Sequence, residues 1–175
     1  MILWTIQNKK AYENLSENGT LIFDKTHKIL EPSFESAYKW MSGQMKDRLG
    51  VPPKGAYYPI WAWYQWEGKR KQPDTISQKV ARKPGETRIL LTMDVPDEEV
   101  LLSDFDAWHF VLNGLCIKDE ISDKEYTEDE IKRSWNKIFD YENSVCGDSP
   151  SGLSTQATMW IIKKEWIQKT EIFVL

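Results

Sequence analysis

The chain has few of the residues on which common metal and thiol sites depend. Its 175 residues include two cysteines and two histidines. The cysteines, Cys116 and Cys146, have no CxxC spacing, so we expect reduced thiols and not a disulfide. The histidines, His27 and His109, do not lie in a ligand motif, and we therefore predict no metal site.

Several patterns that identify enzymes and membrane proteins are absent as well. The sequence contains no GxSxG, P-loop or GxGxxG pattern, so no motif indicates a hydrolase nucleophile or a phosphate-binding loop. No run of about 18 apolar residues occurs, which predicts no membrane span. The short apolar start has no preceding basic residue, unlike a secretory signal. We therefore expect a cytoplasmic protein.

The composition that is present is typical of one globular domain that is rich in tryptophan. Hydrophobic residues make up 41% and charged residues 29% of the chain, with a net charge of −4. This charge argues against a dedicated duplex-DNA binder, which would carry a basic excess. We expect nine tryptophans to exceed what a core of this size needs for packing. Each buries a large area, and each buried indole N–H also requires a hydrogen-bond partner. We expect some of them to line a groove or pocket.

The apolar patterns predict an α+β fold. Strands are expected at residues 2–6, 59–66, 88–95, 100–102, 155–162 and 167–174, and helices at 9–17, after an N-cap at Ser33, after a Ser103–Asp106 capping box and after a Thr127–Glu130 capping box. Because strands and helices do not alternate regularly, a doubly wound parallel sheet is disfavoured. We predict a single domain over residues 1–175, with helices flanking a mostly antiparallel sheet that can be split. The last two strands are expected to pair with each other.

An aromatic strand followed by a basic loop is the first candidate binding feature. Side chains alternate along a strand, so Trp61 and Trp63 face one way while Tyr64 faces the other. The cations of the next stretch are Lys69, Arg70, Lys71, Lys79, Arg82, Lys83 and Arg88. Flat rings beside cations suit a nucleotide or single-stranded nucleic acid. The alternative is a core strand followed by a solvated basic loop.

Two further groups of residues are weaker candidates for a catalytic or binding site. Asp106 and His109 lie one helical turn apart, and a carboxylate can orient an imidazole for general-base work. Helix capping by Asp106 is the simpler alternative. Gln156 opens a late strand after a Gly/Ser-rich loop, where its amide points into a cleft or lies at an ordinary sheet edge.

Several segments resemble the DUF3841 proteins, bacterial proteins of unknown function. They are Leu3-Trp-Thr-Ile-Gln7, Tyr58-Pro-Ile-Trp-Ala-Trp-Tyr-Gln-Trp66, Asp94-Val-Pro-Asp97, Val100-Leu-Leu-Ser-Asp-Phe-Asp-Ala-Trp-His109 and Gln156-Ala-Thr with Trp160. The resemblance covers nearly the full length. It implies no established activity and no catalytic residues.

The architecture also resembles the ADP-ribosyltransferase fold. The similar features are an opening strand, a helix followed by Gly19-Thr20-Leu21, a middle aromatic strand and a closing strand pair. Those enzymes carry a His or Arg, a Tyr or Ser, and a Glu at positions that correspond by chain order to Thr5, Tyr64 and Gln156. Thr5 and Gln156 depart from that pattern. The resemblance implies NAD as a ligand, with an active and a degenerate site both open.

These observations lead to one hypothesis and two alternatives. The hypothesis is a cleft for a nucleotide-like ligand such as NAD, with Trp4, Thr5, Trp61, Trp63, Tyr64 and Gln156 as its lining and Lys69, Arg70 and Arg82 as phosphate contacts. The first alternative is a non-enzymatic interaction module that binds single-stranded nucleic acid or a partner protein through the basic 67–88 loop. The second is a hydrolase or transferase that uses Asp106 and His109.

Overall fold

The computed structural model describes residues 1–28, 31–75, 85–118, 125–143 and 153–175. The strands are β1 (Ile2–Asn8), β2 (Thr20–Ile22), β3 (Ile60–Gln65), β4 (Thr87–Asp94), β5 (Leu101–Asp104), β6 (Thr155–Met159), β7 (Ile161–Lys163) and β8 (Ile167–Val174). The α-helices are α1 (Lys9–Asn18), α2 (Glu35–Leu49), α3 (Phe105–Leu112) and α4 (Glu128–Ser134). Arg82 and Cys146 lie outside the described residues.

The described strands form two antiparallel sheets. The larger has six strands in the order β5-β6-β3-β1-β4-β8, and the smaller pairs β2 with β7. This arrangement confirms the predicted α+β class with a split, mostly antiparallel sheet.

The larger sheet lies between two apolar clusters. One cluster joins the sheet to α1 and the small sheet, and includes Leu15 and Ile162. The other joins it to the helices, and includes Met41 and Trp108. Leu101 belongs to the helical cluster, whereas its neighbour Leu102 packs against the other. Adjacent strand residues point to opposite faces, so this split follows from the strand geometry.

Helix α1 follows its sequence signals closely. The Asn8 side chain accepts a hydrogen bond from the Ala11 N–H at 2.8 Å, and Gly19 ends the helix with a φ of 74°. Only glycine adopts that left-handed conformation without steric cost. Strand β1 therefore leads directly into a helix whose N-terminus lies at Asn8.

Two predicted helix starts are wrong and one is confirmed. Residues 32–34 form a 3₁₀ turn, so α2 begins after Phe34 without a side-chain cap from Ser33. Helix α3 is capped by Asp104, which accepts a hydrogen bond from Ala107 N–H at 3.0 Å, because β5 runs through Ser103 and ends at Asp104, directly before the helix. The Thr127–Glu130 capping box at α4 is confirmed, with both reciprocal bonds formed.

The predicted pairing of the last two strands is also wrong. Strand β6 pairs with β3 and β5, and β8 pairs with β4. Between them the chain forms β7, which pairs with β2 in the small sheet. The predicted strand 155–162 is therefore two strands, because the chain leaves one sheet and enters the other near Trp160.

Candidate functional site

The sheet opens between its two central strands, β1 and β3. In the described part of the chain, the single Cα pair between these strands joins Trp4 to Trp63, although β1 pairs with β4 along its whole length. Past that pair, the Thr5 hydroxyl donates a hydrogen bond to the Trp61 carbonyl at 2.7 Å. A side chain thus bridges strands whose backbones have separated, and the separation leaves a cavity.

The cavity has a volume of about 460 Å³, which is within the range of small-molecule sites. Its lining rings are Phe23, His27, Tyr38, Trp61, Trp63, Phe105, Trp108 and His109. Its lining polar and charged groups are Thr5, Gln7, Asn8, Lys28, Arg88 and Gln156. The prediction that tryptophans of the aromatic strand line a pocket is therefore consistent with the geometry.

The tryptophans divide into two groups by burial. The buried ones are Trp108, Trp135, Trp160 and Trp166, and the half-buried ones are Trp4, Trp40, Trp61, Trp63 and Trp66. At the cavity, Trp61 packs on Trp108 with ring centroids 4.8 Å apart, and Trp63 packs on Phe105 at 4.7 Å. The half-buried rings of β3 are thus held on one side by the buried Trp108 and the half-buried Phe105.

The polar side of the cavity combines a hydroxyl and two buried amides. Gln7 Nε2 donates to Thr5 Oγ1 at 2.8 Å, so Thr5 both accepts and donates. Gln156 is 4% exposed and lies opposite Trp63 in the β3–β6 register. Its Nε2 has no hydrogen-bond partner within the part of the chain that the structure describes. Buried amides are normally satisfied, so this donor is an unusual polar group of the cavity. Two other lining atoms also have no partner in the described ranges, Trp61 Nε1 and Arg88 Nε.

The charge of the lining is positive. Lys28 and Arg88 line the cavity, and none of the described lining residues is an aspartate or a glutamate. The Arg88 side chain is 14% exposed and its Nη2 donates to Glu86 at 2.8 Å. This local balance contrasts with the net charge of −4 for the whole chain.

Both histidines line the cavity, in different environments. The His27 ring stacks on Phe23 with centroids 3.7 Å apart and an interplanar angle of 7°. Burial lowers the pKa of His27, and the charge of Asp24 opposes this only in part. His109 is exposed, and its Nδ1 lies 3.0 Å from the Phe105 carbonyl.

The Asp106–His109 pair of the second alternative is not joined by a hydrogen bond between the two side chains within the described ranges, although His109 itself lines the cavity. Nδ1 of His109 contacts the backbone carbonyl of Phe105, and Asp106 is not among the residues that line the cavity. Burial, followed by the charge of Asp104, raises the pKa of Asp106, and the charge of His109 opposes this in part. Catalytic hydrogen bonds often tighten only when a ligand binds, so a role for this pair stays a prediction.

The structure brings four of the predicted site residues together at the cavity and places the other described ones outside its lining. Thr5, Trp61, Trp63 and Gln156 line the cavity. Trp4 and Tyr64 instead contact the Arg70 guanidinium, whose carbon lies 5.3 Å from the Trp4 ring and 3.7 Å from the Tyr64 ring.

Two of the predicted phosphate contacts, Lys69 and Arg70, lie within the described residues, and neither lines the cavity. Arg70 donates to the Ile2 carbonyl at 2.8 Å. Lys69 closes a tight turn through two backbone hydrogen bonds with Trp66.

Sequence reasoning missed Gln7, Lys28 and Tyr38 as lining residues, and it counted Arg88 only as one cation of the basic stretch. The two-residue period of a strand places Gln7 on the same side as Thr5, so this signal was available. Lys28 and Tyr38 come from a loop and from α2, which only the tertiary fold brings to the cavity.

The structure also bears on the predicted absences. The described residues contain no group of three or more His, Cys, Asp or Glu side chains that could hold a metal ion. Among the helices of the described ranges, none is long and apolar enough to cross a membrane.

Comparison with known proteins gives one match. A family model described as a domain of unknown function, DUF3841, matches residues 2–130 of the chain. The chain belongs to this family. No curated protein and no solved structure matches it. The DUF3841 match includes the β1, β3 and α3 walls of the cavity, whereas Gln156 on β6 lies beyond its end.

Proposed function

We propose that the cavity between β1 and β3 binds a nucleotide-like ligand, of which NAD is one example. The observation that carries this proposal is the composition of the lining, which combines aromatic rings, amides and two cations without a carboxylate among its described residues. Rings suit a planar base, amides suit its polar edge and cations suit phosphate. A carboxylate would repel such a ligand.

The rings supply the first part of the support. Trp61 and Trp63 are half-buried, and their contacts with Trp108 and Phe105 hold them in place. Stacking of a base on an aromatic side chain contributes roughly 1–3 kcal/mol. Rings that are already held by their neighbours lose little conformational entropy when a ligand binds.

The unsatisfied amide supplies the second part. A buried donor without a partner costs about 1–3 kcal/mol, and Gln156 Nε2 is such a donor. A carbonyl oxygen or a ring nitrogen of a base would satisfy it. Polar edges of this kind distinguish a nucleotide base from a plain aromatic ring.

Binding is better supported than ADP-ribosyl transfer. By resemblance, the position of the transferase glutamate corresponds to Gln156, and an amide cannot serve as a carboxylate. Tyr64, the middle-strand position, contacts Arg70 and does not line the cavity. We propose a degenerate site that retains the ligand without breaking the glycosidic bond.

The interaction module that the basic loop suggested has less support. Arg70 is engaged by Trp4, Tyr64 and the Ile2 carbonyl. Lys71 pairs with Glu67 at 2.9 Å. Two of the three consecutive cations therefore already have partners, and residues 76–84 of the loop lie outside the described ranges.

Calorimetric titration with NAD, ADP-ribose and AMP tests the proposal. We expect at least one of these ligands to bind, and Trp63→Leu to weaken it about tenfold because a stacking surface is lost. Trp40→Leu is the matched control. Trp40 is also half-buried, but it packs on Trp135 and Phe139, away from the cavity. Absence of a response to every nucleotide would contradict the proposal, as would equal loss in both variants.

A further inference from the structure

We infer that Arg88 holds the anionic end of the ligand, so that the cavity selects phosphorylated nucleotides over nucleosides and free bases. This inference rests on the proposed function. It replaces Lys69 and Arg70, which the sequence suggested as phosphate contacts, with a cation that lines the cavity.

The Arg88 guanidinium has N–H donors beyond the one that bonds to Glu86. It lies on β4 as the Cα partner of Asn8 on β1, and its side chain is mostly buried. Its Nη2 donates to Glu86, whereas its Nε has no hydrogen-bond partner in the described ranges. A guanidinium carries five N–H donors in a planar fork that matches phosphate oxygens. One bond to Glu86 leaves most of that fork available.

The surroundings of Arg88 favour an anion. Its partner Asn8 lines the cavity and is the N-cap of α1, so the positive end of that helix dipole lies at the same wall. Lys28 adds a second charge to the lining. Glu86 is exposed and does not line the cavity. Among the described residues, the ion pair of Arg88 is therefore with a carboxylate that lies outside the cavity lining.

A cycle of two ligands and two proteins tests this inference. Adenosine and AMP share the base and ribose and differ only in the phosphate. We expect the wild-type protein to bind AMP about tenfold or more tightly than adenosine, as a charge-assisted hydrogen bond would produce. In Arg88→Gln we expect the affinity for AMP to fall to that for adenosine, with adenosine binding unchanged within about twofold.

Two matched variants separate ligand contact from structural pairing. Glu86→Gln breaks the same ion pair but leaves the cation, so we expect it to retain or increase the preference for AMP. Arg88→Lys keeps the charge, so we expect it to retain part of the preference for AMP. It provides a second test of the contact if Arg88→Gln folds poorly. Lys69→Ala is expected to leave the affinities for both ligands unchanged.

The outcomes distinguish this inference from the proposed function. Equal affinity of the wild-type protein for adenosine and AMP would overturn the phosphate site and leave the nucleotide cavity standing. A preference for AMP that survives in Arg88→Gln would overturn the assignment to Arg88, and so would loss of the preference in Glu86→Gln. Failure of adenosine, AMP, ADP-ribose and NAD alike to bind would overturn the proposed function itself.

Discussion

The hydroxyl of Thr5 donates to the carbonyl of Trp61 at 2.7 Å across the gap between two strands of one sheet. The same oxygen accepts the Gln7 amide at 2.8 Å, and Thr5 is 1% exposed. A buried side chain therefore satisfies a carbonyl that a continuous ladder would satisfy from the backbone. This bond lets β1 and β3 separate without leaving the Trp61 carbonyl unpaired.

Replacing Thr5 with valine keeps the shape of the side chain and removes this bridge. The Trp61 carbonyl and the Gln7 amide would each lose a partner, so we expect the free energy of unfolding to fall by about 1–3 kcal/mol. Urea denaturation monitored by tryptophan fluorescence measures this loss. Thr5→Ser retains the hydroxyl and is expected to preserve most of the stability. A stability of Thr5→Val equal to that of the wild-type protein would show that the bridge contributes nothing.

Replacing Gln156 with glutamate tests the sign of the charge in the cavity. The new carboxylate would lie among residues that include no described acid, so we expect the affinity for AMP or NAD to fall about tenfold or more through repulsion. Gln156→Leu, which removes the donor without adding charge, is expected to weaken binding less. Titration of both variants with one nucleotide measures the difference. Tighter binding by the glutamate variant would contradict an anionic ligand.

The N-terminus of α3 offers a direct comparison between neighbouring residues. Asp104 caps the helix, whereas the Ser103 hydroxyl is buried without a hydrogen-bond partner among the described residues. We expect Asp104→Ala to lower the free energy of unfolding by about 1–2 kcal/mol through loss of the cap. Ser103→Ala is expected to be neutral or stabilising, because it removes an unsatisfied buried group. Thermal and urea unfolding of the two variants checks the order, and the reverse order would contradict the assigned cap.

The pH dependence of stability should report the burial of His27. Burial lowers its pKa below the ordinary value of 6.5, so the unfolded chain takes up a proton in a range where the folded protein does not. The contribution of His27 to stability is therefore present above pH 6.5 and is lost as the pH falls through that value and below it. We expect His27→Phe, which keeps a ring on Phe23, to lose less stability than the wild-type protein between about pH 7.5 and 5.5. Urea denaturation across this range measures both slopes, and identical slopes would contradict a pKa of His27 lowered by its partial burial.

The sequence predicted the parts of the site that depend on local alternation. Trp61 and Trp63 share one side of β3 because strand side chains alternate, and the same rule separates Tyr64 from them. The resemblance to ADP-ribosyltransferases, which placed Tyr64 in the cleft by chain order, conflicts with this alternation. In the structure Tyr64 contacts Arg70. Chain order gives a position along the strand but not the face.

Cations were harder to assign than rings. The basic stretch after β3 was predicted to contact phosphate because its charges are adjacent in sequence. In the structure, however, the Arg70 guanidinium packs on the rings of Trp4 and Tyr64. Arg88 lies 18 positions later along the chain numbering than Arg70 and reaches the cavity because β4 pairs with β1. Among the described cations, proximity in sequence therefore did not predict which ones line the cavity, because strand pairing decides it.

The sequence by itself determined the α+β class, the segments that become most strands and helices, and the richness in tryptophan. These follow from periodicity, capping and composition, which act over a few residues. Only the tertiary structure decided that β1 and β3 separate, that Thr5 bridges them and that Gln156, Lys28 and Arg88 line the same cavity. Those features depend on which distant strands and loops become neighbours, and that choice is made by packing of the whole sheet between its two apolar clusters.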